Sequence, residues 1–434
     1  MHKMIALVGA VLISLGQGAV THAQEAQPRG DGPAINSTVF RDQQMKSVTA
    51  VTQVFGRSQR VIAAIVEYDR PIRNAGLALT DFEVTDRRIT RIYANDRPDL
   101  ATDGRDGAYV ILELDAEDEA AIVFSPKVEE SATTVVSQRA SISDLSGQPV
   151  PPGTTPLINT RLKNLIVDDF QQFRFTDPQT GLSLSYNLYT PQDYDPGRAY
   201  PLVLFMHDAG VTGTNPLRTL QQGLGAVAFA SPRDQAKHPA FVLAPQYPVA
   251  LANDASQLSD YADITVRLIE DLAQRFNLDR DRLYTTGQSG GCMASVALNI
   301  RYPDLFAASL LVAGQWDPAQ VAPLAQDNLF VVVSQDDAKA YPGMNAIMEV
   351  LAENGGQITR ATWDGLGSQA QLDQQVTDLV RAGSDSNILY AAFQGGTVFP
   401  PGDTDRQGAS GHVNTWRVAY DIPALRDWLF DQSK

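Results

Sequence analysis

The stretch Gly287-Gln288-Ser289-Gly290-Gly291 predicts a serine on a sharp turn between a strand and a helix. An apolar pair at residues 283–284 leads into the turn, and small residues at 292–297 lead out of it. Glycines two positions before and two positions after the serine leave room for such a turn, which would lift the Ser289 hydroxyl clear of a sheet. The N–H of Gly290 would then be free to bind an oxyanion. We therefore expect Ser289 to be a nucleophile.

A serine hydroxyl needs a neighbouring imidazole to take its proton, and that imidazole needs a carboxylate to hold its tautomer. In a strand–turn–helix setting, these groups follow one another along the chain as serine, acid and histidine. His412 is the only histidine after Ser289, so it is the candidate base. We expect it in a loop that begins with a glycine, just before the last helix of the chain.

The candidate acid should follow a strand that lies between the serine and the histidine. The apolar run at residues 329–333 leads into two adjacent carboxylates, Asp336 and Asp337. We favour Asp337 as the acid and keep Asp336 as the alternative, with the other carboxylate bracing the turn. Asp364, which also follows an apolar segment, is a third candidate.

An oxyanion hole needs a second N–H donor, from a loop at the end of an earlier strand. The apolar run at residues 202–206 ends in His207-Asp208-Ala209-Gly210. This sequence resembles the His-Gly-x-Gly loop of many hydrolases, with Asp208 in place of the usual glycine. We place the second donor at Ala209 and expect His207 to brace the loop.

Three other residues have limited roles in this interpretation. Trp316 follows a strand end, and we expect it either to line the substrate pocket or to pack as a rim aromatic. Cys292, the only cysteine, is expected to pack as a small apolar side chain. His238 precedes a proline and is given no role. The scattered histidines and single cysteine match no metal motif, so the sequence predicts no metal site.

Composition restricts the class of protein and its partners. The chain has 434 residues, of which 44% are hydrophobic and 19% charged, as in a globular protein of two or three domains. The formal net charge of −16 argues against nucleic acid or an anionic membrane surface as a partner, because both attract basic proteins.

The N-terminus has the pattern of a cleavable secretory signal. A short basic start precedes an apolar stretch at residues 4–15, which is too short to span a bilayer. Small residues then predict cleavage after Ala23. We therefore expect a secreted or periplasmic protein without stable membrane insertion, an uncleaved anchor being the alternative. Residues 24–35 are expected to form a flexible lead.

The rest of the chain divides into two domains. Seven short β-rich runs with turn signals predict an antiparallel sandwich at residues 36–160, with its boundary near the proline-rich segment 149–153. From residue 161 to 434, continuous apolar strands alternate with helices, which predicts a mostly parallel sheet covered on both faces. The segment 365–375, rich in glutamine and glycine, is expected to be a surface loop.

These segments resemble a known family. The part from Tyr200 to Lys434 resembles the α/β-hydrolase fold, and is most similar to exported bacterial esterases related to polyhydroxybutyrate depolymerases and feruloyl esterases. The strand at 201–207, the serine turn and the residues around His412 carry this resemblance. Residues 337–344 are similar to the acid-bearing segment of that family and support Asp337. Residues 48–56 and 66–69 are similar to the Ig-like domain that precedes such esterases of the EstA type.

The resemblance implies a serine carboxylesterase that needs no cofactor and acts on small-molecule or polymer esters, usually with short acyl chains. Two alternatives remain at this point. One is a serine peptidase with the same catalytic machinery. The other is a non-catalytic carbohydrate- or surface-binding protein on a hydrolase scaffold.

Overall fold

The computed structural model describes residues 44–434 apart from 57, 126 and 401–408. The predicted signal segment, residues 1–23, and the predicted lead, residues 24–35, therefore lie outside the described residues. These described residues all belong to one compact unit. Within the described part, no helix is long and apolar enough to cross a membrane.

The N-terminal part is built from short strands. In chain order they are β1 (Met45–Phe55), β2 (Ser58–Ile72), β3 (Phe82–Val84), β4 (Ile89–Asn95), β5 (Gly107–Leu114), β6 (Ile122–Ser125), β7 (Val128–Glu129), β8 (Val135–Gln138), β9 (Ile142–Ser143), β10 (Pro149–Val150), β11 (Leu157–Ile158) and β12 (Arg161–Asn164).

These strands form a sandwich. The larger sheet has the order β12-β1-β2-β5-β4, with β6 and β7 extending from β2, and the smaller sheets have the orders β11-β8-β3 and β10-β9. Val48 and Val110 from the larger sheet pack in one core with Val136 and Ile142 from the smaller sheets. Alternate residues of β5, such as Val110 and Leu112, enter this core, as expected where the faces of two sheets pack together. The predicted all-β sandwich is confirmed.

The end of the sandwich differs from the predicted boundary. Pro149–Val150 is a strand paired with Ile142–Ser143, so the proline-rich segment lies within the sandwich. A strand that short at a sheet edge tolerates a proline, because few N–H groups are needed there. Arg161–Asn164 then pairs in parallel with β1, and the sheet extends to residue 164.

The C-terminal part alternates strands and helices. Its strands are β13 (Gln171–Thr176), β14 (Ser183–Tyr189), β15 (Tyr200–Met206), β16 (Phe241–Gln246), β17 (Leu278–Gln288), β18 (Ala308–Val312), β19 (Leu329–Ser334), β20 (Ile358–Trp363) and β21 (Ile388–Phe393). Its helices are α1 (Arg218–Gln221), α2 (Leu224–Val227), α3 (Pro232–Lys237), α4 (Tyr261–Arg275), α5 (Gly290–Arg301), α6 (Ala340–Glu353), α7 (Gln369–Ala382), α8 (Ala409–Ala419) and α9 (Pro423–Phe430).

The strands form a single sheet in the order β13-β14-β16-β15-β17-β18-β19-β21-β20. From β16 onwards the neighbours are parallel, whereas β13 and β14 are antiparallel. Leu202 and Leu204 of β15 belong to the core on one face, and Val203 and Phe205 to the core on the other. The predicted mostly parallel sheet with helices on both faces is therefore confirmed, and all the central strands end on the same edge.

One predicted loop is a helix. α7 begins at Gln369, inside the segment 365–375 that the sequence predicted as a surface loop. Its glutamines face outward, while Leu372, Val376 and Leu379 are buried at helical spacing. A Ser368–Gln371 capping box closes its start. Composition gave the wrong prediction for this segment, because the few apolar residues of the buried stripe are outnumbered by polar ones.

The sandwich contacts the C-terminal part through Gly56, Gln59 of β2 and Glu129 of β7. Gln221 Nε2 donates a hydrogen bond to Gln59 Oε1 over 2.8 Å, and Asn215 Nδ2 donates to Glu129 Oε1 over 3.0 Å. Gly56 lies directly against the Arg417 side chain, leaving no room for a Cβ atom. These contacts place the sandwich against α1 and α8, two helices close to the candidate site.

Candidate active site

Ser289 stands between β17 and α5 in a backbone conformation that is unusual for a non-glycine residue. Its φ is 52° and its ψ is −118°, and α5 begins at the next residue. The turn also requires a glycine at 291, because a Cβ atom there would collide with the carbonyl oxygen of Met206 on β15. The local sequence therefore produces the strained turn that the glycine spacing predicts.

His412 lies between the serine and a carboxylate. Its Nε2 is 2.8 Å from Ser289 Oγ, and its Nδ1 is 2.5 Å from Asp337 Oδ2. A carboxylate at Nδ1 accepts the N–H there, which leaves Nε2 to accept the serine hydroxyl proton. The structure thus brings together the serine, histidine and acid that the sequence singled out.

Asp337 is held by the start of α6. Its side chain is 2% exposed, and Oδ1 accepts hydrogen bonds from the N–H groups of Lys339 over 3.0 Å and Ala340 over 2.9 Å. Those donors at a helix N-terminus stabilise a carboxylate and fix its orientation. The carboxylate is therefore positioned before any substrate arrives.

The alternative acid lies elsewhere. Asp336 Oδ2 accepts a hydrogen bond from the N–H of Gly396 over 2.7 Å, in the loop that follows β21. It braces that loop, whereas the sequence placed the second carboxylate of the pair as a brace of its own turn. Asp364, the third candidate, caps its own turn by accepting the Leu366 N–H over 2.9 Å.

The histidine is on a helix, not in the predicted loop. α8 runs from Ala409 to Ala419, so His412 lies in its first turn. The imidazole is at 86° to the indole of Trp416, one turn further along, with ring centroids 4.9 Å apart. The glycine at 411 suggested a loop, but it packs against the backbone of Asp336, where a Cβ atom would be too close.

Two backbone amide nitrogens, those of Ala209 and Gly290, lie close together beside Ser289. A Cβ atom built on Gly290 would be 3.6 Å from the nitrogen of Ala209, so these two amides are neighbours. Gly290 is the first residue of α5, where the N–H has no partner within the helix. In the described part of the chain, no hydrogen bond uses the N–H of Ala209 or of Gly290. This is the arrangement expected of an oxyanion hole.

His207 braces the loop that carries Ala209. The ring is 3% exposed, and its Nδ1 donates to the Asp208 carbonyl over 2.7 Å while Nε2 accepts the Tyr247 N–H over 3.0 Å. Burial lowers the pKa of His207, which favours the neutral ring that this pattern needs. The loop is fixed further by Gln246 Nε2, which donates to the Val211 carbonyl over 2.8 Å.

A cavity of about 400 Å³ opens beside the serine. Apart from the three groups described above, its walls consist of Asp254, Met293, Gln315, Ala338 and Lys339. Lys339 Nζ and Asp254 Oδ2 form an ion pair at 2.7 Å, with 69% of each side chain exposed, so this pair lies at the mouth. Sequence reasoning did not identify these wall residues, because they come from separate loops.

Trp316 is not among the residues that line this cavity. It is 5% exposed and lies on the wall of a second cavity of about 340 Å³, with Ser256 and Arg301. The residue before it, Gln315, faces the catalytic cavity instead. Successive residues that follow the end of a strand have side chains that point in different directions. The sequence therefore identified the segment that contributes to the cavity, but not which side chain lines it.

The remaining cysteine and histidine have structural surroundings. Cys292 is fully buried in the core of the C-terminal part, and burial raises the pKa of its thiol. His238 Nε2 is 2.8 Å from Asp427 Oδ1, and its ring stacks on Phe430 with centroids 4.6 Å apart.

The fold and the arrangement around the serine define an enzyme of the α/β-hydrolase class. The sequence profile described as "Esterase Ig-like N-terminal domain" matches residues 47–154. A solved structure described as a thermostable esterase is 30% identical to this chain, with a TM-score of 0.77 over 90% of this chain and 100% of that one. The chain belongs to the family of esterases in which an Ig-like domain precedes an α/β-hydrolase domain, and it is a carboxylic ester hydrolase.

Two more distant solved structures also match parts of this chain. A mutant of the feruloyl esterase module from Clostridium thermocellum is 16% identical, with a TM-score of 0.39 over 59% of this chain and 86% of that one. A puromycin-hydrolyzing peptidase from Mycobacterium tuberculosis is 15% identical, with a TM-score of 0.40 over 70% of this chain and 46% of that one. At such scores these two add nothing to the assignment. Among curated proteins, none matches the chain.

Proposed function

We propose that this protein is a secreted serine carboxylesterase that cleaves esters of short carboxylic acids through an acyl-enzyme intermediate. The observation that carries the proposal is the continuous series of hydrogen bonds from Asp337 through His412 to Ser289. Each neighbouring pair in the series is within hydrogen-bond distance before substrate binds, as a preorganised nucleophile requires.

In the proposed first half-reaction, His412 Nε2 takes the proton from Ser289 Oγ as the oxygen attacks the ester carbonyl carbon. The carbonyl oxygen becomes an oxyanion, which accepts hydrogen bonds from the N–H groups of Ala209 and Gly290. Asp337 stabilises the imidazolium that forms. The tetrahedral intermediate then collapses, and the alcohol leaves with the proton from His412.

The second half-reaction repeats these steps with water. His412 takes a proton from a water molecule as the water oxygen attacks the acyl carbon bound to Ser289. A second oxyanion forms in the same place and collapses to release the carboxylic acid, while His412 returns the proton to the serine oxygen. All charges that develop are met by groups already in position.

The cavity beside Ser289 supports a short acyl group. Its volume of about 400 Å³ is at the small end of ligand pockets, and Met293 and Ala338 provide apolar walls. A longer alkyl chain would extend to the mouth of the cavity, where it would contact the charged, hydrated side chains of Asp254 and Lys339 instead of an apolar surface. We therefore expect acetate and butyrate esters to be preferred over decanoate esters.

The decisive experiment measures turnover by the purified protein of p-nitrophenyl esters of increasing acyl length, beside matched p-nitroanilides. Ester turnover that is abolished in Ser289→Ala, with labelling of the wild type by a fluorophosphonate at Ser289, supports the proposal. Anilide turnover comparable to ester turnover would favour the peptidase alternative. If the protein hydrolyses neither the esters nor the anilides and is not labelled by the fluorophosphonate, the proposed esterase function is contradicted.

Secretion is proposed from the N-terminal sequence alone. The basic start, short apolar stretch and small residues before position 24 support a cleaved signal and an extracytoplasmic enzyme. N-terminal sequencing of the exported protein should find Gln24 as its first residue. A mature chain that still begins at Met1 would contradict cleavage.

A further inference from the structure

A half-buried side-chain hydrogen bond joins the nucleophile turn to the oxyanion loop. Gln288 immediately precedes Ser289, and its Nε2 donates to Asp208 Oδ2 over 3.0 Å. The same Nε2 donates to Gln222 Oε1 over 3.2 Å, and Gln288 is 1% exposed. Asp208 immediately precedes Ala209. One hydrogen bond therefore connects the residue before the nucleophile with the residue before the second oxyanion donor.

Asp208 also shapes its own loop. Its Oδ1 accepts the N–H of Gly210 over 2.7 Å, so the two oxygens of one carboxylate hold the loop and the nucleophile turn at once. His207 fixes the backbone of the same loop from the other side by donating to the Asp208 carbonyl. With its neighbours held in this way, the backbone nitrogen of Ala209 is kept close to Gly290.

We propose that Gln288 and Asp208 are positioning residues, whose hydrogen bond sets the distance between Ser289 and the two oxyanion donors. This inference rests on the proposed function, because it assigns to the pair a part in the same reaction. An oxyanion hole acts only when its donors are about 2.7–3.1 Å from the oxyanion, and small displacements of a reacting geometry are costly. A hydrogen bond between the nucleophile turn and the oxyanion loop constrains that distance directly.

The bonding of Gln288 favours a positioning role over a stabilising one. Among the described residues, its Oε1 has no hydrogen-bond partner although the atom is buried. A buried acceptor without a partner lowers stability, and an apolar side chain of similar shape would avoid that loss. The contribution that distinguishes glutamine at this position is its N–H donation to Asp208 and Gln222.

A double-mutant cycle tests the pair. In Gln288→Glu two carboxylates face each other, and in Asp208→Asn two amide groups compete as donors. The double variant reverses donor and acceptor while preserving the net charge, so it can restore the hydrogen bond. For p-nitrophenyl acetate, we expect each single variant to lower kcat about 10- to 100-fold with KM changed less than about threefold, and the double variant to recover most of the loss.

Two further readouts separate positioning from general destabilisation. Phenylboronic acid forms a tetrahedral serine adduct that places an oxygen in the oxyanion hole, so its Ki should rise in proportion to the loss of kcat. Gln235→Glu is the matched control, because Gln235 Nε2 also donates twice, to Phe229 over 2.8 Å and Ala240 over 3.1 Å, away from the site. That variant should lower Tm and leave kcat unchanged.

Gln288→Met provides an answer should the charged variants not fold. It removes both donors and the unpaired acceptor without adding charge, and we expect the same loss of kcat. Its Tm should fall, because Asp208 and the buried Gln222 lose a donor, so kcat and Ki at a temperature well below Tm are the deciding readouts. A kcat within threefold of wild type in folded single variants, or no recovery in the folded double variant, overturns the inference. Turnover that survives in Ser289→Ala would instead overturn the proposed function, so the two failures are distinguishable.

Discussion

Asp337 Oδ2 lies 2.5 Å from His412 Nδ1, while the other oxygen of the same carboxylate accepts the two N–H groups at the start of α6. The acid therefore links the helix that follows β19 to the helix that carries the histidine. Its oxygens are all engaged by protein donors, so its orientation depends on the fold and not on substrate. Because Asp336 and Asp337 have different partners, their roles can be distinguished by substituting each in turn.

Asp337→Asn should lower kcat for a p-nitrophenyl ester about 10³- to 10⁴-fold, because an amide cannot stabilise the imidazolium and favours the wrong histidine tautomer. Asp336→Asn is the matched control, since an asparagine oxygen can still accept the Gly396 N–H, and its kcat should fall less than about tenfold. Steady-state kinetics of both variants on one ester decide the matter. A larger loss at Asp336 would reverse the assignment.

Ser289→Ala should reduce ester turnover by about 10³-fold or more and abolish fluorophosphonate labelling, because the triad acts as a unit. Ser295→Ala is the control on the same helix, where the hydroxyl donates to the Gly291 carbonyl over 3.1 Å. It should change Tm but not labelling. More than about a tenth of wild-type turnover in a pure preparation of Ser289→Ala would exclude this serine as nucleophile.

Gln59→Leu should lower the stability of the protein by about 1–3 kcal/mol, because buried partners lose their hydrogen bonds. Gln59 donates to Thr52 and Asn164 and accepts from Gln221, so it joins the sandwich to α1. The sandwich segment contains no histidine and no candidate catalytic group, so kcat should stay within about twofold.

Gln53→Leu on the neighbouring strand β1 is the comparison for Gln59→Leu on β2, and chemical denaturation with ester kinetics measures both. If Gln59→Leu lowers kcat more than tenfold with its fold intact, the sandwich contributes to the geometry of the site. That result would contradict the prediction that the sandwich contributes to stability but not to catalysis.

The stability contributed by Asp177 should depend on acid pH. Hydrogen bonds from Arg267, over 2.6 and 3.0 Å, lower the pKa of Asp177 from 3.8 to about 2. Between these values the unfolded chain binds more protons than the folded one, so the contribution is present above about pH 4 and is lost as the pH falls towards 2. The Tm difference between wild type and Arg267→Met should therefore shrink over this range. A difference that is constant from pH 6 to 2.5 would show that packing, not charge, is responsible.

The sequence by itself determined the features that depend on neighbours along the chain. The glycine spacing around Ser289 produces the strained turn because backbone sterics act over a few residues. Continuous apolar strands specified a sheet buried on both faces, and the order of serine, acid and histidine followed from their positions. The sequence of α7 also contains local helix signals, namely a capping box and apolar residues at positions i, i+4 and i+7. The high glutamine and glycine content of the segment obscured these signals.

Only the tertiary structure decided which of two adjacent side chains reaches the site. Asp336 and Asp337 follow the same strand, and Gln315 and Trp316 follow another, yet one of each pair faces the catalytic cavity. In irregular turns the direction of a side chain depends on contacts with distant segments, such as the Gly396 N–H or the start of α6. The Gln288–Asp208 hydrogen bond has the same origin, because residues 80 positions apart meet only where parallel strands end on one edge of the sheet.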